Sequence, residues 1–216
     1  MKKVKYIALI LVLALGLIGG AYAAWTDTLE IEATVDTAEL KMEFVSLAVW
    51  GAGPQGSDPY MTGGHQGTGT KKATFWIENM YPEAEASFAM FAQNKGDIPV
   101  KLSDVTVTFS PGVDHDIWNY AKAKVTARYL EAGDKWSNEI GSETGYLKDL
   151  AQLIKDAVGD QVINPGDQIR LGREATEDDP DPVGSITVWL DETTPNQFQN
   201  VSFDFDVEMT WQQWNI

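Results

Sequence analysis

The segment Val201–Trp211 reads VSFDFDVEMTW, an alternation of apolar and polar residues. Large apolar side chains occupy every second position from Val201 onward, and the positions between them hold Ser, Asp, Asp, Glu and Thr. Successive side chains of a β-strand point to opposite faces, so a strict period of two predicts a strand with one buried and one solvated face. A strand of this length and pattern predicts a sheet packed on a hydrophobic core.

Shorter segments with strand-like patterns recur upstream, separated by turn residues. The further predicted strands cover residues 29–35, 40–45, 72–79, 87–92, 100–109, 122–130, 168–172 and 185–190. Predicted turns lie at residues 81–82, 94–97 and 164–167, and residues 51–70 are expected to form a long Gly-rich loop. Helical spacing of apolar residues predicts one helix over Tyr146–Val158. The pattern predicts an all-β, jelly-roll-like two-sheet sandwich over residues 37–216 with one or two peripheral helices, and it places Trp189 and Trp211 in the core.

Composition excludes several classes of function. The chain has 216 residues with 16 Lys and Arg against 32 Asp and Glu, for a net charge of -16. Nucleic-acid binding and docking on anionic lipid both need clustered cations, so neither is expected. At 44% hydrophobic residues the chain can bury a core and is not a disordered acidic tail. The absence of Cys excludes disulfides, thiolate zinc sites and Cys nucleophiles.

The N-terminus has the layout of a secretory signal peptide. Lys2, Lys3 and Lys5 precede an uncharged stretch that ends in Ala21-Tyr22-Ala23, a small-x-small cleavage pattern. We expect a signal peptidase to cut between Ala23 and Ala24, so that the chain contacts a membrane only before cleavage. A retained membrane anchor is the alternative, because the uncharged run is nearly long enough to span a bilayer. Cleavage would change the net charge to 13 − 32 = −19, and either outcome makes residues 24–216 extracellular.

Known catalytic patterns are missing from the sequence. His65 and His115 are its only histidines, and it contains no HExxH pair, no GxSxG elbow and no P-loop. The acids of residues 177–182 could bind calcium, but they lack EF-hand spacing and are more typical of a solvated loop. We therefore predict no catalytic, cofactor-binding or metal-binding residue, and no enzyme.

Two features are compatible with carbohydrate binding or glycosylation. Eight Trp residues could form a sugar-binding platform, although packing is the commoner use of such rings. Asn200-Val201-Ser202 is a glycosylation sequon, so Asn200 is a candidate acceptor in an extracellular chain.

The order of several short motifs resembles one known family. Gly19–Thr28 reads GGAYAAWTDT and resembles the signal junction of the TasA/camelysin family, whose members carry a SipW-type signal peptide. Ala24-Trp25 stands where that family usually has Tyr-Phe. The other matching segments are residues 37–42 (TAELKM, with Ala38 in place of Gly), 81–82 (YP, followed by Glu83 in place of Gly), 94–100 (NKGDIPV), 164–167 (NPGD) and 196–214. The resemblance thus spans nearly the whole chain.

That resemblance implies a jelly-roll fold and a structural role. Members form extracellular fibres in bacterial biofilms and similar bundling pili in archaea, in which the N-terminal segment of one subunit completes the sheet of the next. It implies that this chain is its own partner, in a head-to-tail homopolymer at the cell surface or in a matrix. The family also includes camelysin, described as a surface metalloprotease, and this sequence shows no matching protease site.

The residues themselves fit such a donor strand. After cleavage, residues 24–36 form a free N-terminal segment in which Trp25 is followed by Leu29, Ile31, Ala33 and Val35 alternating with polar residues. A free amphipathic strand can add to an open sheet edge of another molecule. The alternative is that Leu29–Val35 pairs within its own domain. A secreted camelysin-like metallopeptidase and a surface-anchored carbohydrate-binding module remain the alternative functions.

Overall fold

The structure is a computed structural model, and it describes residues 11–12, 38–53, 56–57, 60–111, 115–173, 183–184 and 186–215. Residue contacts divide the chain into two compact units, residues 1–37 and 38–216. Of the first unit only Leu11 and Val12 are described, so the rest of the predicted signal peptide and the whole predicted donor strand lie outside the described residues. No helix among the described residues is long and apolar enough to cross a membrane.

The second unit is built almost entirely of strands, which confirms the predicted all-β class. Within the described residues the strands are β1 (Met42–Gly53), β2 (Gly56–Ser57), β3 (Thr62–Gln66), β4 (Lys72–Met80), β5 (Glu85–Asn94), β6 (Val100–Phe109), β7 (Ala121–Leu130), β8 (Asn138–Tyr146), β9 (Val162–Ile163), β10 (Gln168–Arg173), β11 (Val183–Gly184), β12 (Ile186–Leu190) and β13 (Val201–Gln213). One α-helix, α1 (Leu150–Val158), and short 3-10 turns at His115–Asn119, Leu147–Asp149 and Asn196–Phe198 complete them.

The strands form two antiparallel sheets that pack face to face. One sheet runs β2-β1-β5, then β12 and β10, then β7-β8, with β11 attached to β10. The other runs β3-β4-β13-β6-β9. The predicted two-sheet sandwich is therefore confirmed, with the quoted strand β13 at the centre of the smaller sheet.

Two short strands share one position in the larger sheet. β10 and β12 both lie between β5 and β7, each pairing with both neighbours at a different end. The chain leaves the position between β5 and β7 at Gly172, where φ is +152° and a Cβ would lie 2.6 Å from the Cβ of Ala89. Only glycine fits this position, because it has no Cβ and readily adopts a positive φ. The predicted strands at residues 168–172 and 185–190 are thus two halves of a single interrupted strand position.

Aromatic rings from both sheets form the centre of the core. The ring of Phe88 on β5 lies 5.5 Å from Phe75 on β4 and 5.3 Å from Phe205 on β13, both in edge-to-face geometry. These contacts join the two sheets. Phe203, Phe205, Val207 and Met209 are all buried, as the alternation of β13 predicts. Burying each such side chain contributes about 1.5–3 kcal/mol.

The helix covers one open side of the sandwich. α1 packs against β8 and β7, and Gly141 of β8 lets it approach because a Cβ there would clash with the carbonyl oxygen of Ala157. Its apolar residues Leu150, Leu153, Ile154 and Val158 are buried, as their spacing predicts. The opposite side is closed by backbone bonds from β1, in which the Phe44 N–H donates to the Thr70 carbonyl at 2.9 Å.

Two turns that lie far apart in sequence are bonded to each other. The Asn94 N–H donates to the Asp167 carbonyl at 3.0 Å, and the Gly166 N–H donates to the Asn94 carbonyl at 2.8 Å. The Asp167 carboxylate is buried and accepts bonds from the Ala132 N–H at 2.8 Å and from the Tyr129 hydroxyl. Burial first, and then the bond to Asp167, raise the pKa of Tyr129 to about 12. This cluster locks together the predicted turns at 94–97 and 164–167.

Several predicted elements were wrong in their bounds. Residues 51–70 are not one loop, because β1 extends into them and Thr62–Gln66 pairs with β4 as an edge strand. The strand Asn138–Tyr146 was not predicted, since its mostly polar sequence has no clear alternation. Tyr146, the predicted first residue of the helix, is the last residue of β8, and a 3-10 turn over Leu147–Asp149 precedes α1.

The prediction for Trp189 was also wrong. Trp189 alternates with the buried residues Ile186, Val188 and Leu190, so it lies on the opposite face of β12 and is half-buried. Trp211, near the end of β13, is half-buried and packs against the core.

Candidate functional site

Most of the predicted assembly residues lie outside the described part of the chain. These are the cleavage residues Ala23 and Ala24 and the donor residues Trp25, Leu29, Ile31, Ala33 and Val35. The described body can still be searched for the other half of such a contact, a sheet edge able to accept a strand. An incoming strand needs outward-directed N–H and C=O groups and apolar surface to cover.

The outer edge of β6 supplies the backbone groups. β6 pairs with β13 along its length, whereas on its other side β9 covers only Val100 and Lys101. Within the described ranges no strand pairs with the outer side of residues 102–109. β6 is therefore an edge strand over most of its length.

The register identifies which groups point outward. The Ser110 N–H donates to the Asp204 carbonyl at 2.8 Å, one residue beyond the β6–β13 ladder and in the same register. Hydrogen-bonded and non-hydrogen-bonded pairs alternate along an antiparallel ladder. The N–H and C=O groups of Val105, Val107 and Phe109 are therefore directed away from β13.

The side chains of the same three residues face the core, but those of Val107 and Phe109 remain partly exposed to solvent. Val105 is buried, whereas Val107 and Phe109 are half-buried. The Phe109 ring lies 4.7 Å from the ring of Trp118, which is itself half-buried and belongs to the 3-10 turn His115–Asn119. Phe109 also lies 5.6 Å from Phe205, so this partly exposed apolar surface is continuous with the core.

The helix limits the accessible part of this edge. α1 packs beside the first half of β6, where Lys155 Nζ lies 3.3 Å from Asp104 Oδ1. Residues 105–109 lie beyond that ion pair and extend about 17 Å at roughly 3.3 Å per residue. We call Val105–Phe109, together with Trp118, the candidate acceptor edge.

The outer edges of β8 and β3 offer less to an amphipathic strand. The outer edge of β8 is longer, but it carries Glu139 and Glu143 and its core face is already packed against α1. Acidic side chains of this kind protect an edge against pairing. β3 is shorter and contributes Gly63 and Gly64, which have no side chain to pack. Of the β6, β8 and β3 edges, the candidate acceptor edge is thus the best match to a donor that needs to bury Leu29, Ile31 and Val35.

Comparison with known proteins found no matching family model, no matching curated protein and no matching solved structure. The resemblance to the TasA/camelysin family therefore stays a prediction that depends on the motifs quoted above.

The two histidines lie on different elements of the described chain. His65 is exposed on the edge strand β3, and His115 begins the 3-10 turn after β6. The acidic run at residues 177–182 lies outside the described residues. Among the described residues no group of three or more His, Asp or Glu side chains could hold a metal ion.

Exposed Trp side chains are also dispersed. Trp136 is 46% exposed in the segment between β7 and β8, and Trp214 is 49% exposed after β13. The described Trp residues on strands β1, β4, β12 and β13 are half-buried. The predicted glycosylation residue Asn200 is exposed in the turn immediately before β13.

An ion pair on the outer face of the smaller sheet has a clear electrostatic effect. The Asp206 carboxylate lies 2.6 Å from Lys72 Nζ and accepts a bond from the Thr74 hydroxyl at 2.6 Å. Partial burial acts to raise the pKa of Asp206, but the bonds from Lys72 and Thr74 together outweigh it and hold the pKa below its usual value. The pair joins β13 to β4 and so stiffens the sheet that carries the candidate acceptor edge.

Sequence reasoning missed the candidate acceptor edge. The alternation of residues 100–109 showed which side chains face inward, but it gave no information on which side of β6 would remain unpaired. Trp118 gave no local signal either, because its role depends on contact with Phe109 and Phe203.

Proposed function

We propose that this chain is the subunit of an extracellular homopolymer, a pilus or a biofilm-matrix fibre, assembled by donor-strand complementation. In this proposal signal peptidase removes the residues before Ala24 and so frees the N-terminal end of residues 24–36. This segment of one subunit pairs with the candidate acceptor edge of the next. The observation that carries the proposal is the outward-directed backbone of Val105, Val107 and Phe109 above a half-buried apolar surface. The order of family-like motifs along the chain is independent support.

The chemistry of the two partners is complementary. Leu29, Ile31 and Val35 would cover the apolar surface at Val107, Phe109 and Trp118, each contributing about 1.5–3 kcal/mol if fully buried. Each new ladder hydrogen bond adds about 0.5–1.5 kcal/mol. Ordering the free segment costs about 1–2 kcal/mol per residue. Summed over the strand, this cost is similar in size to the gain from side-chain burial and hydrogen bonding. Contacts between neighbouring bodies must therefore add to the strength of each junction.

Head-to-tail addition explains why the contact would give a filament. The donor segment and the acceptor edge are different parts of the surface, so the contact is heterologous and grows without closing unless its rotation forms a ring. The uncleaved signal peptide would hold the donor segment at the membrane and delay assembly until secretion. The strongly negative charge would keep free subunits apart until the junction forms.

The experiment compares matched changes in the donor segment. We would express the full chain in a secreting host and image the product by negative-stain electron microscopy, alongside a form lacking residues 24–36. Ile31→Glu places a charge on the apolar face of the donor, and Thr34→Glu places the same charge on its polar face. We expect filaments from the wild type and from Thr34→Glu, and monomers from Ile31→Glu and from the deletion.

Two results would contradict the proposal. Filaments from the form that lacks residues 24–36 would show that another surface drives assembly. Monomers from the correctly cleaved wild type, over a range of salt, pH and calcium concentrations, would remove the basis for a structural role.

A further inference from the structure

One end of the sandwich carries a cavity that the assembly proposal does not use. Its volume is about 470 Å³, within the range of roughly 300–1,000 Å³ found for small-molecule sites. Its walls come from Tyr60, the turn after β4, the residues around the 3-10 turn Asn196–Phe198, and the turn before β13. Three separate connections of the chain therefore meet at this place.

The backbone at this cavity is unusual. Asn79, Glu83 and Asn200 have φ values of 63°, 71° and 63°, and they are the non-glycine residues with positive φ in the described chain. All three line the cavity. Asn tolerates this conformation, whereas for Glu83 it is unfavourable, and such residues concentrate at binding sites.

Hydrogen bonds hold these turns against the strands. The Asn79 side-chain amide donates to the Tyr60 carbonyl at 3.2 Å, and the Glu83 N–H donates to the Leu190 carbonyl at 3.3 Å. The Gln199 N–H donates to the Asn196 carbonyl at 3.2 Å. The cavity is therefore a preorganised feature of the fold.

The aromatic side chains of the cavity provide flat apolar surface. Tyr60 is 74% exposed, the most exposed of the large hydrophobic residues described in residues 38–215. Tyr81 is half-buried and packs against the core, which fixes its position. Exposed rings of this kind are suited to stacking on the apolar face of a ligand.

The polar side chains offer both donors and acceptors. Asn196, Gln199 and Asn200 are exposed and can each donate and accept hydrogen bonds, while Glu83 and Glu192 are exposed carboxylates that accept only. The described lining includes no Lys, Arg or His. This charge disfavours phosphates and acidic sugars, whereas the paired donors and acceptors match neighbouring hydroxyl groups.

We propose that this cavity binds a neutral pyranose saccharide, with a sugar ring stacked on Tyr60 and its hydroxyls bonded to the amides and carboxylates around it. The saccharide has two chemical sources. One is a free neutral polysaccharide around the cell, and the other is a glycan linked to Asn200, which lies in the cavity wall and is followed by Val201-Ser202. This inference stands independently of the assembly proposal.

The first arm of the test uses the full chain made without glycosylation. Cellohexaose, mannohexaose and N-acetylchitohexaose serve as neutral probes, and trigalacturonate serves as the acidic control, with binding followed by isothermal titration calorimetry. We expect at least one neutral probe to bind and trigalacturonate not to bind. Tyr60→Ala should weaken the binding by about five- to tenfold, as expected for loss of one aromatic contact.

Matched variants separate this cavity from other aromatic surfaces. Tyr146→Ala removes a different exposed Tyr on β8, and Trp136→Ala and Trp214→Ala remove the exposed Trp rings. We expect all three to bind the neutral probe as the wild type does. Circular dichroism of each variant confirms that the exposed substitutions leave the fold intact.

The second arm distinguishes the two sources. The chain is made in a host that glycosylates sequons, and its probe binding is compared with that of the unglycosylated chain of the first arm. If a glycan on Asn200 fills the cavity, the glycosylated chain should bind the probe more weakly. If free polysaccharide is the ligand, both preparations should bind the probe equally.

The proposal is overturned if no neutral probe binds the unglycosylated chain at millimolar concentration. It is also overturned if Tyr60→Ala binds like the wild type, or if Trp136→Ala or Trp214→Ala loses binding instead.

Discussion

Replacing Val107 by proline should stop assembly while leaving the fold nearly intact. The Val107 N–H is directed away from β13, so Val107→Pro removes a donor that no described strand uses. Proline is tolerated on edge strands when its missing N–H would have faced solvent. The neighbouring change Thr108→Pro is the matched control, because the Thr108 N–H is directed toward β13. Val107→Pro should therefore impair assembly with little effect on the fold, whereas Thr108→Pro should destabilise the fold.

The magnitudes follow from the ladder and from burial. Val107 is only half-buried and proline keeps most of its apolar volume, so Val107→Pro should lower the free energy of unfolding by about 1 kcal/mol. Thr108→Pro breaks a ladder bond inside the sheet and leaves its carbonyl partner on β13 unsatisfied, so it should cost about 2–4 kcal/mol. At the junction, Val107→Pro removes a ladder bond and places a ring in the path of the incoming strand. A loss of about 1.5–3 kcal/mol there raises the critical concentration for assembly by roughly 10- to 150-fold.

Two assays on the full chain separate these effects. Urea unfolding followed by circular dichroism gives the free energy of unfolding of each variant. Sedimentation of polymer over a series of protein concentrations gives the critical concentration, with electron microscopy to confirm that the pellet contains filaments.

Either of two results would refute the reasoning. If Val107→Pro assembles at the wild-type critical concentration, residues 105–109 are not the acceptor. If Val107→Pro destabilises the fold more than Thr108→Pro, the outward direction assigned to the Val107 N–H is incorrect.

Three further predictions concern the groups that hold the body together. Asn94→Ala should lower the free energy of unfolding by about 3–5 kcal/mol in urea unfolding, because the buried side chain makes three hydrogen bonds to backbone groups that would lose their partner. Because the folded-state pKa of Asp206 is lowered, the ionised carboxylate stabilises the fold above the unfolded-state pKa near 3.8, and this stability is lost as pH falls through the folded-state pKa. Asp206→Asn should therefore reduce the decrease of the urea midpoint between pH 6 and 3. The raised pKa of Tyr129 contributes stability below about pH 10 that is lost as pH rises toward about 12, so Tyr129→Phe should flatten the alkaline decline of the urea midpoint.

Each of these changes has a control on the same molecule. Asn138→Ala alters an exposed Asn on β8, Asp204→Asn alters an exposed acid on the same face of β13 as Asp206, and Tyr146→Phe alters an exposed Tyr. These variants should unfold within about 0.5 kcal/mol of the wild type near neutral pH. A control that matches the effect of its partner would show that the assigned contact is not the cause.

Much of the fold was predictable because it depends on residue patterns within single segments. The alternation of Val201–Trp211 predicted a strand with one buried face, and Phe203, Phe205, Val207 and Met209 are buried as expected. Helical spacing located α1 to within a few residues. The polar strand Asn138–Tyr146 escaped prediction because pairing with β7, and not its own composition, makes it a strand.

The candidate sites were much less predictable. The sequence marked a donor-like segment and Asn200, but it did not indicate that β6 would remain open or that Asn200 would share a cavity with Tyr60. Both features depend on which segments become neighbours after folding. The local sequence around β6 or around Asn200 does not indicate which segments these will be.

Local sequence patterns were sufficient to predict the class of the fold, the buried face of most strands and the main turns. These properties follow from side-chain periodicity and from residues that favour particular backbone angles, and both act over a few residues. Only the tertiary structure decided that β10 and β12 share one position, that the turns at Asn94 and Asp167 bond to each other, and that residues 105–109 keep an open edge. Strand pairing and register are set by the packing of the whole core, because each strand can satisfy its backbone equally well with many partners and only one arrangement buries all the apolar faces together.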